Sequence, residues 1–215
     1  MEFVRLPAQS WPDVFATASL KRTAVGFCVV ALCGGCVSTG ELPERANIHG
    51  PLPQNVRSVA IQAMPMKPGT IKNVEKLTLA DAPPQFTSYL KDALALKQPS
   101  WQIKLAGGEE ATSDQDLVMS TELLEVDGGS AALRFWIGLN TGAIVSRVKV
   151  SILDNTGRDL ANANISERTA CPVGACTDST DDMVQRNLKN LAEEVAEFVV
   201  DPVAYDKKKG SKPKT

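Results

Sequence analysis

Residues 143–168, AIVSRVKVSILDNTGRDLANANISER, are the stretch of this chain that decides its fold. The first half carries the apolar residues of a strand, at Ile144, Val145, Val148, Val150 and Ile152. The turn signal Asn155-Thr156-Gly157 follows, and residues 158–168 return as a second strand-like run. Two such runs around a short turn are typical of a β-hairpin, so this stretch predicts two neighbouring antiparallel strands.

Three further segments have the pattern of strands. Alternating or apolar runs bounded by turn signals predict strands at 55–63, 101–105 and 116–126. Asp127-Gly128-Gly129-Ser130 reads as a turn, and the apolar, aromatic segment 131–139 comes directly after it.

Two segments have the apolar spacing of helices. The first is predicted to run from Pro83 or Pro84 to Lys97, with Asp81 as its N-cap. The second covers 180–200, where apolar residues recur at steps of three and four. The order β-α-β-β-β-β-α predicts an α+β fold, with two helices packed on a mainly antiparallel sheet of about five strands.

The N-terminal part has the order of residues that export requires. The basic pair Lys21-Arg22 precedes a short apolar run, which ends in Gly34-Gly35 directly before Cys36. A positive start, an apolar run and small residues at the cleavage point are typical of a signal peptide. The run is shorter than the roughly 20 apolar residues that span a bilayer. We therefore interpret residues 1–35 as a signal peptide.

Two other interpretations of this segment stay open: a buried core helix, or ordinary secretion with cleavage but no lipid. Residues 1–19 are longer and more mixed than the usual positively charged region of a signal peptide, and Pro7 and Pro12 disfavour a continuous helix there. We interpret residues 1–19 as an over-extended translation start.

The remaining chain divides into three parts. Residues 36–54 are polar and rich in Pro and Gly, which is typical of a flexible tether. Residues 55–200 are predicted to form a single α+β domain. Residues 201–215 are predicted to be a disordered tail with lysines at 207, 208, 209, 212 and 214. Contact of this tail with anionic lipid headgroups is the alternative.

The charge of the chain argues against nucleic acid as a partner. Beyond residue 35 there are 23 acidic and 20 basic residues, and five of the basic residues are the tail lysines. The body of the protein is therefore acidic, whereas a nucleic-acid-binding domain presents a basic face.

Residue types that catalysis or metal binding requires are scarce. His49, the single histidine, lies in the predicted tether, which excludes a His-dependent triad. Gly107-Gly108 is followed by acids rather than by the Lys of a phosphate-binding loop. The carboxylates of the strands are explained by polar strand faces, although an acid/base pair among them is the alternative. We expect no enzymatic activity, no cofactor and no metal site.

Cys171 and Cys176 flank Pro172-Val173-Gly174-Ala175. In an oxidising compartment two cysteines in a short loop usually pair, so we predict a structural disulfide. The spacing is not the C-x-x-C of redox pairs, although a redox-active pair stays open, and a zinc site needs more ligands than this segment offers.

The segment from Gly129 to Gly157 resembles domain-of-unknown-function family 4410 (DUF4410), a family of bacterial lipoproteins without assigned activity. The matching positions are Gly129, Ser130, Arg134, Gly138, Gly142, Val148, Val150, Asp154 and Gly157. Leu139-Asn140-Thr141 departs from the more Gly-rich stretch of the family. The resemblance extends in order of elements over most of residues 55–200, and it implies an exported, lipid-anchored protein with no catalytic residues to transfer.

Cys36 is similar to the cysteine that bacterial lipoproteins modify with acyl chains such as palmitate. Gly34 and Gly35 fit that pattern, whereas Cys33 stands where a Leu-type residue is usual. The resemblance implies a lipidated Cys36. Val37, where Asp would signal retention in the inner membrane, implies an outer-membrane location facing the periplasm.

These patterns predict a non-enzymatic envelope lipoprotein that binds or scaffolds an unknown envelope protein. Phe135, Trp136, Gly138 and Gly142 are the predicted partner contact, as an apolar loop for a membrane or a protein. The alternative for the two glycines is a pair of structural turns around a strand. The alternative function is a soluble periplasmic module that binds a small ligand in a pocket lined by Tyr89, Trp101 and Trp136.

Overall fold

The structure, a computed structural model, describes residues 46–106, 115–136, 142–170 and 179–210. Its longest strands are β5 (Leu117–Asp127), β6 (Ile144–Asp154) and β7 (Asp159–Thr169). They form an antiparallel meander in which β6 lies between the other two strands. The hairpin predicted from residues 143–168 is confirmed as β6 and β7.

The side chain of Asp154 builds the turn between β6 and β7. Its Oδ1 accepts hydrogen bonds from the backbone N–H of Thr156 at 2.9 Å and of Arg158 at 3.0 Å. Gly157 closes the turn with a φ of 82°, a value that favours glycine. Hydrogen bonding by the Thr156 side chain is the largest of several effects that lower the pKa of Asp154 to about 2, so the carboxylate stays ionised in ordinary buffers.

The sheet is mixed, which corrects the prediction of a mainly antiparallel sheet of about five strands. Among the described residues it has seven strands, in the order β1 (Asn47–Ile48), β7, β6, β5, β2 (Ser58–Ala63) and β4 (Gln102–Ala106), with β3 (Ile71–Lys72) beside β5. Strand β2 (Ser58–Ala63) pairs in parallel with both β5 and β4 (Gln102–Ala106). A 16-residue helix, α1 (Ala82–Lys97), connects β2 to β4. Such a crossover returns the chain in the same direction, so the two strands become parallel neighbours.

The helices α1 and α3 (Thr180–Val200) pack against each other and on one face of the sheet. Both predicted helices are therefore confirmed, and so is the α+β class. The Oγ of Ser179 caps α3 by accepting the N–H of Asp182 at 3.1 Å. Asp81 lies at the start of α1 as predicted, but its side chain makes no capping bond and instead accepts the hydroxyl of Thr78.

Four short elements lie where the sequence predicted tether, loop or tail. Two are strands, β1 (Asn47–Ile48) and β3 (Ile71–Lys72), which pair with β7 and β5 respectively. Two are helices, α2 (Ala131–Trp136) and α4 (Pro202–Gly210). Helix α4 differs from the disordered tail expected at 201–215, because Tyr205 is buried and its ring contacts that of Phe198. Residues 211–215 lie outside the described residues.

All described residues belong to a single compact unit, which falls within residues 40–215. The buried hydrophobic core of the described residues begins at Val59 and ends at Tyr205, so residues 40–215 contain all of that core. None of the helices in the described ranges is long and apolar enough to cross a membrane.

Ser146 on β6 is a polar residue in the core, and removing its hydroxyl is expected to stabilise the domain. The side chain is fully buried, and its Oγ has no hydrogen-bond partner among the residues that the structure describes. A buried hydroxyl without a partner costs about 1–3 kcal/mol. We expect Ser146→Ala to raise the free energy of unfolding by about 1 kcal/mol, measured by urea denaturation.

The matched control is Ser151→Ala on the opposite face of the same strand, where Ser151 is partly exposed. This change is expected to alter the free energy of unfolding by less than about 0.5 kcal/mol. A loss of stability in Ser146→Ala would show that the hydroxyl has a partner and contradict the expectation.

Candidate functional site

The predicted site residues fall into two groups. Cys36, Cys171, Cys176 and Gly138 lie outside the described residues, so the lipid site, the disulfide and part of the partner contact stay predictions. Phe135 and Trp136 belong to helix α2, and Gly142 lies two residues before β6. The structure therefore places the described part of the predicted contact at one end of the sheet, beyond the end of β5.

Three glycines bring backbone segments into close contact at this end. A side chain at Gly128 would meet the backbone of Asn73, and one at Gly129 would meet the carbonyl of Gly142. A side chain at Gly142 would meet the carbonyl oxygen of Ser130. Gly129 and Gly142 also have φ angles of 63° and 68°, which residues with a Cβ rarely adopt. We refer to Asn73, 128–130 and 142–143 as the glycine junction.

Hydrogen bonds connect the glycine junction to the end of the sheet. The Oδ1 of Asp127 accepts the side-chain N–H of Asn73 and the backbone N–H of Gly129, both at 2.8 Å. The backbone N–H of Gly128 donates to the carbonyl of Lys72 at 2.9 Å. Asn73 itself has a φ of 54°. The start of α2 is thus held in place by contacts with two other segments, 72–73 and 142–143. The helix itself has only six residues.

Helix α2 leaves the glycine junction with apolar surface exposed. The Oγ of Ser130 accepts the N–H of Leu133 at 3.3 Å, which caps the short helix. The Leu133 side chain is 43% exposed. A helix with an exposed leucine on a rigid support can present apolar surface to a partner. The predicted turns and the predicted contact are therefore compatible, because the glycines support the segment that would make the contact.

Two of the three aromatic residues of the alternative pocket can be placed. Tyr89 and Trp101 both pack against the hydrophobic core, and Tyr89 accepts a hydrogen bond from Gln85 at 3.1 Å. The side chain of Trp136 lies outside the described part of the chain, so this pocket stays a prediction. A different recess, of about 370 Å³, lies between the ends of α1 and α3 and helix α4. Val200, Ala204 and Tyr205 contribute its apolar part.

Titratable groups gather beside α4. The hydroxyl of Tyr205 donates to Oε1 of Glu194 at 3.0 Å, and Lys209 pairs with the same carboxylate. Burial, with the nearby charge of Glu194, raises the pKa of Tyr205 well above its usual range. Burial and the same neighbour also raise the pKa of Glu167 on β7. Glu194 of α3 bonds to both Tyr205 and Lys209 of α4. This group of titratable side chains therefore has a structural role, because it holds α4 against α3.

In the described ranges, no group of three or more His, Cys, Asp and Glu side chains is placed to hold a metal ion. His49 lies at the surface beside β7, with Nε2 3.2 Å from the side-chain nitrogen of Asn162.

Sequence reasoning missed a group of basic side chains on the sheet face opposite the helices. Arg147 and Lys149 alternate on β6 with residues that face the core, and Lys72 lies nearby on β3. The alternation of Arg147 and Lys149 with Val148 was visible in the sequence. The prediction considered only the acidic charge of the whole domain, in which a local basic group does not show.

The chain has matches to one family and to several solved structures. The family model described as Domain of unknown function (DUF4410) matches residues 54–171. No curated protein matches the chain.

Among solved structures, PelC of Paraburkholderia phytofirmans, described as a dodecamer, is 14% identical. That match covers 69% of this chain and 93% of the other, with a TM-score of 0.42. A Xanthomonas campestris protein assigned to DUF330 is 11% identical, with coverages of 79% and 97% and a TM-score of 0.42. A Caulobacter crescentus protein described as a candidate lipoprotein is 14% identical, with coverages of 71% and 92% and a TM-score of 0.34.

Proposed function

The chain belongs to the family described as Domain of unknown function (DUF4410), and we propose that this member is a lipid-anchored protein of the bacterial cell envelope. In this proposal it has no enzymatic activity and binds or scaffolds another envelope component. Its anchor lies in the outer membrane and its domain faces the periplasm, as Val37 after Cys36 suggests.

One observation carries the anchoring. The basic pair, apolar run and Gly34-Gly35 end at Cys36, and the described domain lies beyond it, from residue 46 onward. An export signal that precedes a folded domain is the arrangement of a protein whose domain works outside the cytoplasm. Acyl chains on Cys36 would then hold the domain close to the bilayer.

The glycine junction supports the proposed binding role. It fixes the start of α2 by close backbone contacts at Gly129 and Gly142, and α2 exposes Leu133. Sites on rigid supports hold a contact geometry better than sites on loose loops. Phe135 and Trp136 follow in the same helix by sequence, and aromatic residues are enriched where proteins bind partners.

Replacing Cys36 by alanine tests the anchoring directly. We expect mass spectrometry of the wild-type protein to show cleavage before Cys36 and added acyl chains. In Cys36→Ala the acyl mass is expected to be absent and the protein to leave the membrane fraction. Cys33→Ala, three residues earlier and inside the predicted signal peptide, is the matched control and is expected to leave the mature mass unchanged.

If both Cys36→Ala and wild type are soluble and free of lipid, anchoring is excluded. The alternative, a soluble periplasmic module for a small ligand, then takes first place. The recess of about 370 Å³ beside α4 favours this second function, because its volume falls within the range of small-molecule sites.

A further inference from the structure

A basic surface covers part of the sheet face that the helices leave uncovered. On β6 the side chains of Val148 and Val150 are buried in the core, whereas Arg147 and Lys149 point to the opposite face, because side chains alternate along a strand. Arg168 of β7 joins them, since it pairs with Val145 of the same face. With Lys67 and Lys72 these residues form what we call the basic patch.

The carboxylates that pair with the basic patch are less exposed than its basic groups. Glu125 contacts Lys72 at 3.1 Å and Arg147 at 3.5 Å, and Glu122 contacts Lys67 at 3.2 Å. The two glutamate side chains are only 24% and 26% exposed, whereas Lys67 is 81% and Lys72 54% exposed. In each of these ion pairs the basic partner is therefore more exposed than the carboxylate.

An exposed leucine lies among these charges. A bulge in the register of β5 falls between Leu123 and Glu125, and Leu124 in this bulge is 38% exposed. Leu124 lines a shallow recess of about 270 Å³ together with Thr70 and Arg147. A strand residue that a bulge displaces can present its side chain outward, so the basic patch has an apolar point within its charged surface.

The helices on the opposite side of the molecule have no excess of basic charge. Helices α1 and α3 together carry six acidic residues and four basic ones, and α4, which packs on α3, adds one acidic residue and three lysines. The chain as a whole has a net charge of −2. A locally basic face on an acidic protein selects and orients a partner with negative charge.

We propose that the basic patch rests on an anionic phospholipid surface. The inference depends on the proposed function, because an anchor at Cys36 would keep the domain beside a bilayer. Ten residues separate Cys36 from β1, and ten residues span at most about 35 Å, so the domain stays within reach of the headgroups. Basic side chains bind the headgroups and an exposed leucine enters the boundary below them, which is how peripheral proteins contact bilayers.

Vesicle flotation of residues 40–215 tests the proposal without the lipid anchor, using the unit that contains the whole described core. The probes are vesicles of phosphatidylglycerol mixed with phosphatidylcholine, and vesicles of phosphatidylcholine alone. We expect binding to the anionic vesicles only, weakened by salt because exposed charges are screened. The double variant Lys72→Gln, Lys149→Gln is expected to lower the affinity about 25-fold, or about fivefold for each lysine.

The matched control is Lys91→Gln, Lys189→Gln, which removes the same charge from exposed positions on α1 and α3. It is expected to change vesicle affinity less than about twofold, since these helices lie on the other face of the sheet.

Leu124→Ser is expected to weaken binding with no change of charge. Equal losses in the two double variants, or no binding to anionic vesicles, would overturn the proposal, and the second result would direct attention to an acidic protein as the partner. Anchoring through Cys36 is unaffected by either result.

Discussion

Replacing Gly129 by alanine is expected to lower the free energy of unfolding by about 3 kcal/mol. The φ of 63° at this position costs an L-residue about 1–2 kcal/mol. A Cβ would also meet the carbonyl groups of Gly142 and Ala143, so two backbone segments must shift, at a typical cost of about 1–3 kcal/mol. The measurement is thermal unfolding, where we expect a fall in Tm of about 6–12 °C.

Gly157→Ala separates the two contributions to this loss. Gly157 has a φ of 82°, but within the described part of the chain no atom lies within 4 Å of an added Cβ. It is therefore expected to lose only the conformational part, about 1–2 kcal/mol. Equal losses at Gly129 and Gly157 would show that the glycine junction is not closely packed, and would remove the support for a rigidly held α2.

Replacing Tyr205 by alanine is expected to release helix α4 from the domain. The ring is 8% exposed and meets Phe198 edge-to-face at a centroid distance of 5.5 Å, while its hydroxyl donates to Glu194. Truncating a buried aromatic residue costs about 3–5 kcal/mol. Because α4 is terminal among the described elements, we expect a local effect, in which amide hydrogen exchange over 202–210 accelerates about 100-fold.

Tyr205→Phe is the control that keeps the ring. It removes only the hydrogen bond to Glu194, and we expect a loss of about 1 kcal/mol with α4 still protected from exchange. If Tyr205→Ala leaves exchange over 202–210 unchanged, Tyr205 is not what fastens α4, and the ion pairs of Lys208 with Glu197 and Lys209 with Glu194 become the explanation.

Local patterns predicted the elements that have strong periodicity. The hairpin of β6 and β7 follows from alternation on either side of Asn155-Thr156-Gly157, and α3 follows from apolar residues at steps of three and four. Such patterns are readable because each residue of the core face contributes to the same signal. The short elements β1, β3 and α2 have two, two and six residues, which is too few for a period to emerge.

The direction of β2 relative to its neighbours was wrong in the prediction for a different reason. The pattern of a strand is the same in parallel and antiparallel pairs, so alternation at 55–63 carries no information on its partners. The crossover through α1 was visible in the order strand, helix, strand, but nothing local showed that β4 returns beside β2 and that β5 pairs on its other side.

The glycine junction and the basic patch also combine local patterns with contacts between distant segments, and only the local patterns could be predicted. The sequence indicated Gly142 and the turn at Asp127-Gly128-Gly129-Ser130, but not that these segments meet each other and Asn73. For the basic patch, the sequence showed only the alternation on β6, because Lys67 and Lys72 precede β5 whereas Arg147 and Lys149 follow it. Their proximity depends on β3 pairing with the end of β5 and on β5 pairing with β6.

What the sequence determined by itself is the α+β class, the two long helices, the hairpin and the pattern of an export signal ending at Cys36. Each of these depends on residues close together in the chain, where side-chain period, turn residues and the order of charged and apolar residues act locally. The tertiary structure alone decided the mixed strand order, the docking of α4 by Tyr205, the close packing at Gly129 and the assembly of the basic patch. These features join residues from 11 to over 70 positions apart, such as Glu194 with Tyr205 or Lys72 with Arg147, and only the packed core brings such residues together.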